Sequence, residues 1–318
     1  MTSRARNRAA IALTPKGGLV IHERRSAILQ MTSAVLDAAR ELLREEGFVE
    51  ILPVILAPVT DPLRHTTDRA VVAAYGQQWH LTRSMIFHKQ AAVRVLNKIF
   101  SLSPNIRLEP AGWGQSGRHL FEFVQLDLEV REATRDDMLA LGERLLVHIV
   151  ERISESCIKE LALLGRELSE IRAPFPRIPY REAEERYGDG FEDHVSVRAE
   201  GPVWIVDFPV EVREFYDRED PSRPGVLLDM DLLYPAGYGE ALSGGEREHE
   251  PHRIQNRIER QGLDPTLYGS LLEAAQAGLP PSAGFGIGIE RLVRFLGGLL
   301  HVREVRLFPR VPGEPAAM

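Results

Sequence analysis

The chain has 318 residues, of which 44% are hydrophobic and 27% are charged, which is enough for one large domain or two small ones. Its formal net charge of −7 argues against binding of a long nucleic acid, because proteins that bind phosphate backbones usually have a net positive charge or a basic surface patch. The single cysteine, Cys157, excludes a disulfide within the chain and favours the cytosol. The basic N-terminal segment lacks a long apolar run, and we find no signal peptide and no membrane span.

Hydrophobic periodicity and turn residues predict the elements of secondary structure. Pro53 and Pro58 interrupt the first strand-like run, Thr134 is a plausible helix cap, and Cys157 is expected to be a buried, inert thiol. In chain order the predicted elements are a helix over 24–46 that ends near Gly47, a strand-like run over 47–58, a helix over 85–100, two strands across 107–129, helices over 134–164 and 180–187, strands over 203–209 and 225–234, helices over 246–261 and 266–277, a Gly-rich strand that runs into a helix over 281–298, and a strand over 305–308.

The order of these elements favours one fold class. Strands outnumber clean strand–helix–strand units, which predicts an α+β fold with a mostly antiparallel sheet flanked by helices. The sequence has no internal repeat and no obvious linker. We therefore expect a short tail over 1–22 and a single domain over 23–318.

The segment 107–129 combines polar clusters with a strand-like alternation. The clusters contain Arg107, Glu109, Arg118, His119 and Glu122, and one face of the alternating run carries Phe121, Phe123, Gln125, Asp127 and Glu129. Arg107 and Arg118 offer forked donors for phosphate oxygens, and Phe123 can stack under a purine. Glu109 can accept a hydrogen bond from an exocyclic amine. The segment fits a platform for ATP, and the alternative is a charged hairpin with surface ion pairs.

Two further segments carry chemistry. In 283–295, glycines allow close backbone approach ahead of Arg291, although tight strand–helix packing explains them equally well and no Gly-Lys-Ser/Thr follows. In 238–250, Glu240 and Ser243 place hard oxygen donors together, as Mg²⁺ prefers. The alternative there is a turn before an exposed charged helix. A metal pair of His249 and His252 is disfavoured because no third ligand has a recognisable spacing.

Together the three segments resemble the signature motifs of class II aminoacyl-tRNA synthetases of the aspartate/asparagine branch. GFVEILPVIL is similar to the first motif, RLE…GRHLFEFVQLDLE to the second, and GFGIGIERLVRFL…VREVRLFPR to the third. Their order and spacing match from about residue 24 to 312. The resemblance implies the antiparallel sheet of that class, use of ATP and Mg²⁺, and a homodimer with Pro53 at its interface.

A closer resemblance is to the archaeal-type asparagine synthetase related to asparaginyl-tRNA synthetase. LTRSMIFHKQ, LSPNIRLE, FYDRE, YGEALSGGERE and FPRVPG are similar to that family. Only about 20 residues precede the first predicted helix, so no anticodon-binding domain and no tRNA partner are expected. The resemblance implies a cytoplasmic, ATP-dependent, AMP-forming ligase that joins L-aspartate and ammonia through an acyl adenylate.

The resemblance also implies roles for individual residues. Arg107 and Arg291 are the implied catalytic residues, with Arg107 at the α-phosphate and carboxylate and Arg291 stacking on adenine against Phe123. The implied ATP-binding residues are Arg107, Glu109, Arg118, His119, Phe123, Glu240 and Arg291. The implied substrate-binding residues are Ser84, Lys89, Gln125, Asp127, Ser243 and Arg247. The implied metal ligands are Asp231, Glu240 and Ser243.

One departure from the aspartyl-tRNA synthetase pattern concerns the amino acid. Ile86 replaces a glutamine that holds the substrate amine, and Arg83 adds a cation that is either a surface residue or the partner of an extra negative group. We hypothesise that aspartate binds reversed, so that Lys89 and Arg247 hold its α-carboxylate and the β-carboxylate is activated. The alternatives left open are a ligase of specialised metabolism for an aspartate-like acid or another small amine, a truncated tRNA-charging enzyme, and a non-catalytic binding protein.

Overall fold

The computed structural model describes residues 15–65 and 67–315, with side chains from residue 22 onward. The helices are α1 (Pro15–Glu45), α2 (Ile86–Ala92), α3 (Arg135–Ser156), α4 (Ile158–Leu164), α5 (Tyr180–Tyr187), α6 (Phe191–Arg198), α7 (Pro251–Arg260), α8 (Gly269–Gln276) and α9 (Ile289–Leu296). The strands are β1 (Val49–Glu50), β2 (Leu56–Ala57), β3 (Val71–Ala74), β4 (Gln77–Leu81), β5 (Lys98–Ile106), β6 (Glu122–Arg131), β7 (Arg177–Pro179), β8 (Val203–Val206), β9 (Asp229–Tyr234), β10 (Gly239–Glu246) and β11 (Ser282–Gly288). Within these ranges no helix is long and apolar enough to cross a membrane.

An eight-stranded sheet organises the chain in the order β1-β5-β6-β11-β10-β9-β8-β7. The central pairs are antiparallel, and only the outer pairs β1–β5 and β7–β8 are parallel. A smaller sheet has the order β2-β4-β3. The predicted α+β fold with a mainly antiparallel sheet and flanking helices is confirmed.

The large sheet has one apolar face and one polar face. Side chains from α1, α3 and α9 pack with the apolar face into one core, which includes Met31, Leu145, Leu126, Leu128 and Phe285. The alternating residues of β6 lie on the other face, as the period-two pattern predicts. Helices thus cover one face, and the second face remains available for a site.

A β-bulge in β10 places two predicted site residues on the same face. Glu240 pairs with Leu233 and Ser243 with Asp231, but the register shifts between Glu240 and Leu242 because β10 has one extra residue. Ala241 and Leu242 both join the apolar core. Glu240 and Ser243, three positions apart, therefore both point away from it, whereas a regular strand would place them on opposite faces.

Several predicted boundaries are confirmed. Helix α1 ends at Glu45, and Gly47 has the positive φ of 83° that is typical beyond a helix C-terminus. Thr134 caps α3 in a capping box with Asp137. Cys157 is buried at the junction of α3 and α4, where burial raises the pKa of its thiol. Of the tail predicted over 1–22, residues 1–14 lie outside the described ranges, and α1 already begins at Pro15.

Other predicted elements are wrong. The helix expected over 85–100 ends at Ala92, because the following residues pair with β6 as strand β5. The charged helix expected from 246 begins at Pro251, since Glu246 still pairs with Ala283 and proline suits a first helical turn. The helix over 134–164 is divided at Cys157. The strand expected over 305–308 is not formed, and a short 3₁₀ turn, Val302–Glu304, precedes that segment.

The structure assigns Arg83 a role in holding a loop. Its guanidinium donates to the carbonyls of Pro62 (3.2 Å), Thr67 (3.4 Å) and Asp68 (2.9 Å), and its side chain is buried. Its backbone N–H also donates to the Thr60 hydroxyl at 2.9 Å. Arg83 is therefore neither a surface cation nor, in this arrangement, free for a substrate, and we call residues 58–65 and 67–70 the Arg83 loop.

Replacing Arg83 by methionine is expected to loosen the Arg83 loop, because three carbonyl contacts lose their donor and such losses cost roughly 1–3 kcal/mol each when buried. Amide hydrogen exchange over 63–69, followed by mass spectrometry, should be at least about tenfold faster than in the wild type. Arg69→Met is the matched control, since Arg69 is exposed in the same loop. Equal exchange in Arg83→Met and wild type would contradict this role.

Candidate active site

Two adjoining cavities lie on the polar side of the sheet and share Arg107 and Gln125. The first, of ≈ 240 Å³, contains every residue predicted to bind ATP: Arg107, Glu109, Arg118, His119, Phe123, Glu240 and Arg291. The second, of ≈ 90 Å³, contains every residue predicted to bind the amino acid: Ser84, Lys89, Gln125, Asp127, Ser243 and Arg247. The larger cavity suits the bulkier ligand, and Arg107 stands at the passage between the two. We call them the nucleotide cavity and the acid cavity.

Arg107 owes its position to the turn that follows β5. Its backbone N–H donates to the carbonyl of Phe121, and its guanidinium Nε donates to the carbonyl of Arg83 at 3.1 Å. The guanidinium carbon lies 5.2 Å from the centroid of the Phe123 ring, a distance that allows a cation–π interaction. The segment 107–129 therefore lines a cavity and is not a surface hairpin.

Aromatic side chains that the sequence did not single out cover the nucleotide cavity. The Trp113 ring lies 4.6 Å from the ring of His119 and 5.3 Å from that of His65, measured between centroids. Burial and the neighbouring Arg291 lower the pKa of His119 to about 4, so its imidazole is neutral at pH 7. Trp113 lies in a short 3₁₀ turn, Ala111–Gln115, where the sequence has no strand periodicity. Only its aromatic character could have indicated a place in this cavity.

Two glutamates of the nucleotide cavity have different tasks. Glu109 Oε1 accepts a hydrogen bond from His65 Nε2 at 3.1 Å, while its buried Oε2 has no hydrogen-bond partner among the described residues. Glu290 accepts the Val124 N–H through both oxygens at 3.1 Å. Burial raises the pKa of Glu290 to about 7. Glu109 thus keeps an acceptor free toward the cavity, whereas Glu290 fixes the start of β6.

The predicted metal ligands lie on the adjacent strands β9 and β10: Glu240 lines the nucleotide cavity and Ser243 the acid cavity, whereas Asp231 lines neither of these two. Ser243 and Asp231 are cross-strand neighbours, and Asp231 Oδ1 lies 2.6 Å from a guanidinium nitrogen of Arg213. Glu240 Oε2 lies 3.0 Å from a guanidinium nitrogen of Arg291. Arg213 was missed by the sequence analysis. Among the described residues, no three or more His, Cys, Asp or Glu side chains lie close enough together to bind a metal ion by themselves. His249 and His252 are likewise not part of such a group.

A buried ionic network forms the floor of the acid cavity. Lys89 Nζ lies 3.1 Å from Asp127 Oδ1 and 3.8 Å from Glu129 Oε2. Arg247 donates to Glu129 at 3.2 Å and lies 3.3 Å from Asp217. Both cations line the cavity as predicted, yet both already have internal carboxylate partners. The partner carboxylates Glu129 and Asp217 were not predicted.

The glycines of β11 make room for this network. Gly284 and Gly286 lie opposite Glu129 and Asp127 in the sheet register. A methyl group on Gly284 would come within 2.2 Å of the Glu129 carboxylate, and one on Gly286 within 3.0 Å of Asp127 Oδ1. The Gly-rich pattern therefore accommodates the polar side chains of β6 as well as a ligand.

The amide of Gln125 is oriented by a neighbour. Asn105 Nδ2 donates to Gln125 Oε1 at 2.7 Å, so the amide NH₂ group of Gln125 is the end left for a ligand. Asn105 is fully buried on β5. The sequence analysis missed Asn105 together with other residues that line or support the two cavities: Asp61, His65, Trp113, Glu129, Arg213, Glu214, Asp217 and Asp229.

Comparison with known proteins places the chain in a family. Residues 18–312 match the family described as tRNA synthetases class II (D, K and N). The chain is 34% identical over 314 residues to an asparagine–tRNA ligase of Symbiobacterium thermophilum, which covers 91% of this chain and 70% of the relative. It is 33% identical over 303 residues to the asparagine–tRNA ligase of Pyrococcus furiosus, which covers 90% and 69%.

A solved structure shows the same arrangement of elements. Asparaginyl-tRNA synthetase from Pyrococcus horikoshii, crystallised with asparaginyl-adenylate, superposes with a TM-score of 0.85 at 30% identity, covering 96% of this chain and 74% of that one. The family match spans nearly all the described residues, including both cavities. The chain therefore belongs to the class II tRNA synthetase family (D, K and N), and it is a ligase of that AMP-forming class.

Proposed function

We propose that the protein catalyses the ATP-dependent, AMP-forming amidation of L-aspartate, joining it to ammonia through an acyl adenylate. The observation that supports this most strongly is the junction of the two cavities at Arg107 and Gln125. A carboxylate in the acid cavity and an α-phosphate in the nucleotide cavity would meet at that junction. The adenylate held by the Pyrococcus horikoshii relative is a ligand of this type.

The proposed nucleotide contacts follow from chemistry. Phe123 and Arg291 line the same cavity and would hold adenine between a ring and a guanidinium. The free Oε2 of Glu109 would accept from the adenine amine. Arg118 would contact the outer phosphates as a cation, and His119 as a neutral hydrogen-bonding group, since its pKa is about 4.

The donor set on β9 and β10 fits Mg²⁺. Mg²⁺ bound with nucleotides takes one or two carboxylates, with phosphates and water completing its octahedron. Glu240 faces the nucleotide cavity and its side chain keeps 39% exposure, while Ser243 and Asp231 add oxygens on the neighbouring strand positions. These residues would hold the ion, which would neutralise phosphate charge.

Activation of the acid would proceed by attack of a substrate carboxylate oxygen on the α-phosphorus, with pyrophosphate as the leaving group. Arg107 would hold the phosphate and the carboxylate together and offset the negative charge that develops between them. Ammonia would then attack the acyl carbon and AMP would leave. None of these steps needs a protein nucleophile.

The charges of the acid cavity support a reversed orientation of aspartate. A single carboxylate would require only cations, but Lys89 and Arg247 stand beside Asp127 and Glu129. Such a mixed set suits the zwitterionic end of an amino acid, which leaves the β-carboxylate for Arg107. A structure with aspartate bound and its β-carboxylate against Lys89 and Arg247 would refute this orientation.

We also propose a homodimer formed through the segment 47–56. This segment exposes apolar side chains in the single chain: Val49, Leu52, Ile55 and Leu56. Leu52 keeps 90% of its surface exposed, which is unusual for a leucine next to an apolar neighbour at Ile55. Burial against a second copy would remove this surface from water.

The amidation is tested by incubating the protein with ATP, Mg²⁺, aspartate and ammonium and measuring AMP and asparagine by mass spectrometry. Both products are expected in equal amounts. Arg107→Lys should reduce their formation by about 100-fold or more, since a compact ammonium cannot replace a forked donor at a developing charge.

Arg181→Lys is the control, because Arg181 is exposed on α5. AMP formed with aspartate but without asparagine would indicate another acceptor. AMP formed only with another acid would identify that acid, and not aspartate, as the substrate. Transfer of an amino acid to tRNA by the purified protein would instead support a tRNA-charging enzyme.

The dimer is tested by Leu52→Asp. A carboxylate at this position would have to be desolvated in the interface, so the variant should elute as a monomer in size-exclusion chromatography with light scattering, while the wild type elutes as a dimer. Val197→Asp, an exposed site on α6, serves as the control and should remain dimeric. A dimeric Leu52→Asp variant would place the interface elsewhere.

A further inference from the structure

Three carboxylates line one wall of the acid cavity. Asp61 comes from the Arg83 loop, and Glu214 and Asp217 come from the connection between β8 and β9. Asp61 is 3% exposed and Asp217 is 5% exposed. We call these three residues the acidic wall. Carboxylates brought together from two loops, away from bulk water, repel each other unless a cation lies near them.

The cations of the cavity do not neutralise the whole wall. Asp217 is paired with Arg247 at 3.3 Å. Among the described residues, the donors to Asp61 are neutral: the Tyr216 hydroxyl at 2.9 Å and the Leu63 N–H at 3.0 Å. Glu214 accepts the backbone N–H of Arg64 at 3.2 Å and, among the described residues, forms no ion pair. Asp61 and Glu214 therefore both line the cavity without an ion-pair partner among the described residues.

The cations that are present have other carboxylate partners. Lys89 pairs with Asp127 at 3.1 Å, and Arg213 pairs with Asp229 at 2.9 Å and with Asp231 at 2.6 Å. The carboxylates that line the cavity are Asp61, Asp127, Glu214, Asp217 and Asp229, and the cations are Lys89, Arg107, Arg213 and Arg247. Five carboxylates thus share the cavity with four cations.

A buried acceptor on the same cavity points independently to a ligand with N–H donors. Asp127 is 2% exposed, and its Oδ1 accepts from Lys89. Its Oδ2 is buried and has no hydrogen-bond partner within the described part of the chain. An unpaired buried carboxylate oxygen is costly, so a donor from a bound molecule is expected there.

We propose that the acidic wall binds the ammonium ion that serves as the acceptor substrate, and that Glu214 removes its proton. This inference rests on the proposed amidation and extends it by naming the acceptor subsite and the base. Asp61 and Asp217 hold the cation through their negative charge, and they are less suited to take its proton because Asp61 accepts from the Tyr216 hydroxyl and Asp217 pairs with Arg247. Glu214 is the carboxylate of the wall that has no side-chain hydrogen-bond partner among the described residues, since it accepts from the backbone N–H of Arg64.

The chemistry requires such a group. Ammonium has no lone pair and cannot attack, so one proton passes from ammonium to the Glu214 carboxylate. The resulting ammonia forms a C–N bond to the acyl carbon, the bond from that carbon to the phosphate oxygen breaks, and the electron pair leaves with AMP. The second proton lost from nitrogen passes to the departing phosphate, which completes the amide.

The electrostatics of Glu214 suit this task. Burial, together with the neighbouring Asp61 and Asp217, raises the pKa of Glu214 to about 7, and Arg213 acts in the opposite direction. A base is most effective when its pKa lies near the working pH, because it is then both available and strong enough to take a proton. Arg257 contacts only the backbone carbonyl of Glu214, at 2.8 Å.

The test separates adenylate formation from amide formation. Aspartate-dependent exchange of pyrophosphate into ATP reports the first step, and asparagine production reports the second. For Glu214→Gln we expect normal exchange and an asparagine rate from ammonium that falls about 100-fold or more, as for loss of a general base. With hydroxylamine, which is largely neutral at pH 7, hydroxamate formation should stay close to the wild-type rate.

Two further variants complete the design. Glu214→Asp keeps the carboxylate and should recover part of the ammonium-dependent rate. Glu211→Gln is the matched control, because Glu211 is an exposed carboxylate in the same connection, and it should behave as the wild type. Thermal unfolding of each variant establishes that the chain remains folded.

Several results would overturn the inference. A higher KM for aspartate in the exchange reaction of Glu214→Gln would mean that the wall holds the amino acid's own ammonium group. An equal loss with ammonium and hydroxylamine, or no loss with either, would also refute Glu214 as the base. These outcomes differ from failure of the proposed function, in which the wild type itself forms no asparagine from ammonium.

Discussion

The rest of the site depends on the buried ionic network of Lys89, Asp127, Glu129 and Arg247. All four side chains are almost completely removed from water, so loss of one partner would leave an uncompensated charge, at a cost of roughly 3–5 kcal/mol. The network also reaches the carbonyls of Gly284 and Phe285. It thereby ties α2, β6, β11 and the end of β10 at one point, and it fixes the charge pattern that any substrate must complement.

The two cavities differ because the same sheet presents different side chains along its length. Toward the turn after β5, aromatic rings and guanidinium groups predominate, which suits a polyanion with a planar base. Toward α2, acids and cations alternate within a smaller space, which suits a short zwitterion. Arg107 and Gln125 belong to both regions. In the proposed function, selection of a nucleotide and selection of an acid would be properties of separate residues joined at the Arg107 guanidinium.

Much of this arrangement could be predicted from sequence, and the exceptions have physical reasons. The alternation in β6 shows which side chains share a face, because that periodicity is local. The pattern over 85–100 predicts one helix, but residues from 98 onward pair with β6, and this pairing overrides the local pattern. Asp61, Glu214 and Asp217 could not be predicted as neighbours, since two irregular loops bring them together from distant positions. Arg83 could not be assigned its partners from the sequence either. It donates to backbone carbonyls, which every residue carries, so no residue type marks the contact.

The bulge in β10 determines which face of the sheet each side chain beyond it occupies. If β10 had no bulge and kept all its residues, the regular two-residue period would exchange the faces of every side chain on one side of Ala241. Glu240 and Ser243 would then lie on opposite sides of the sheet, one of them against the apolar core. A strand that keeps these two side chains on one face therefore needs either the bulge or the loss of its one extra residue.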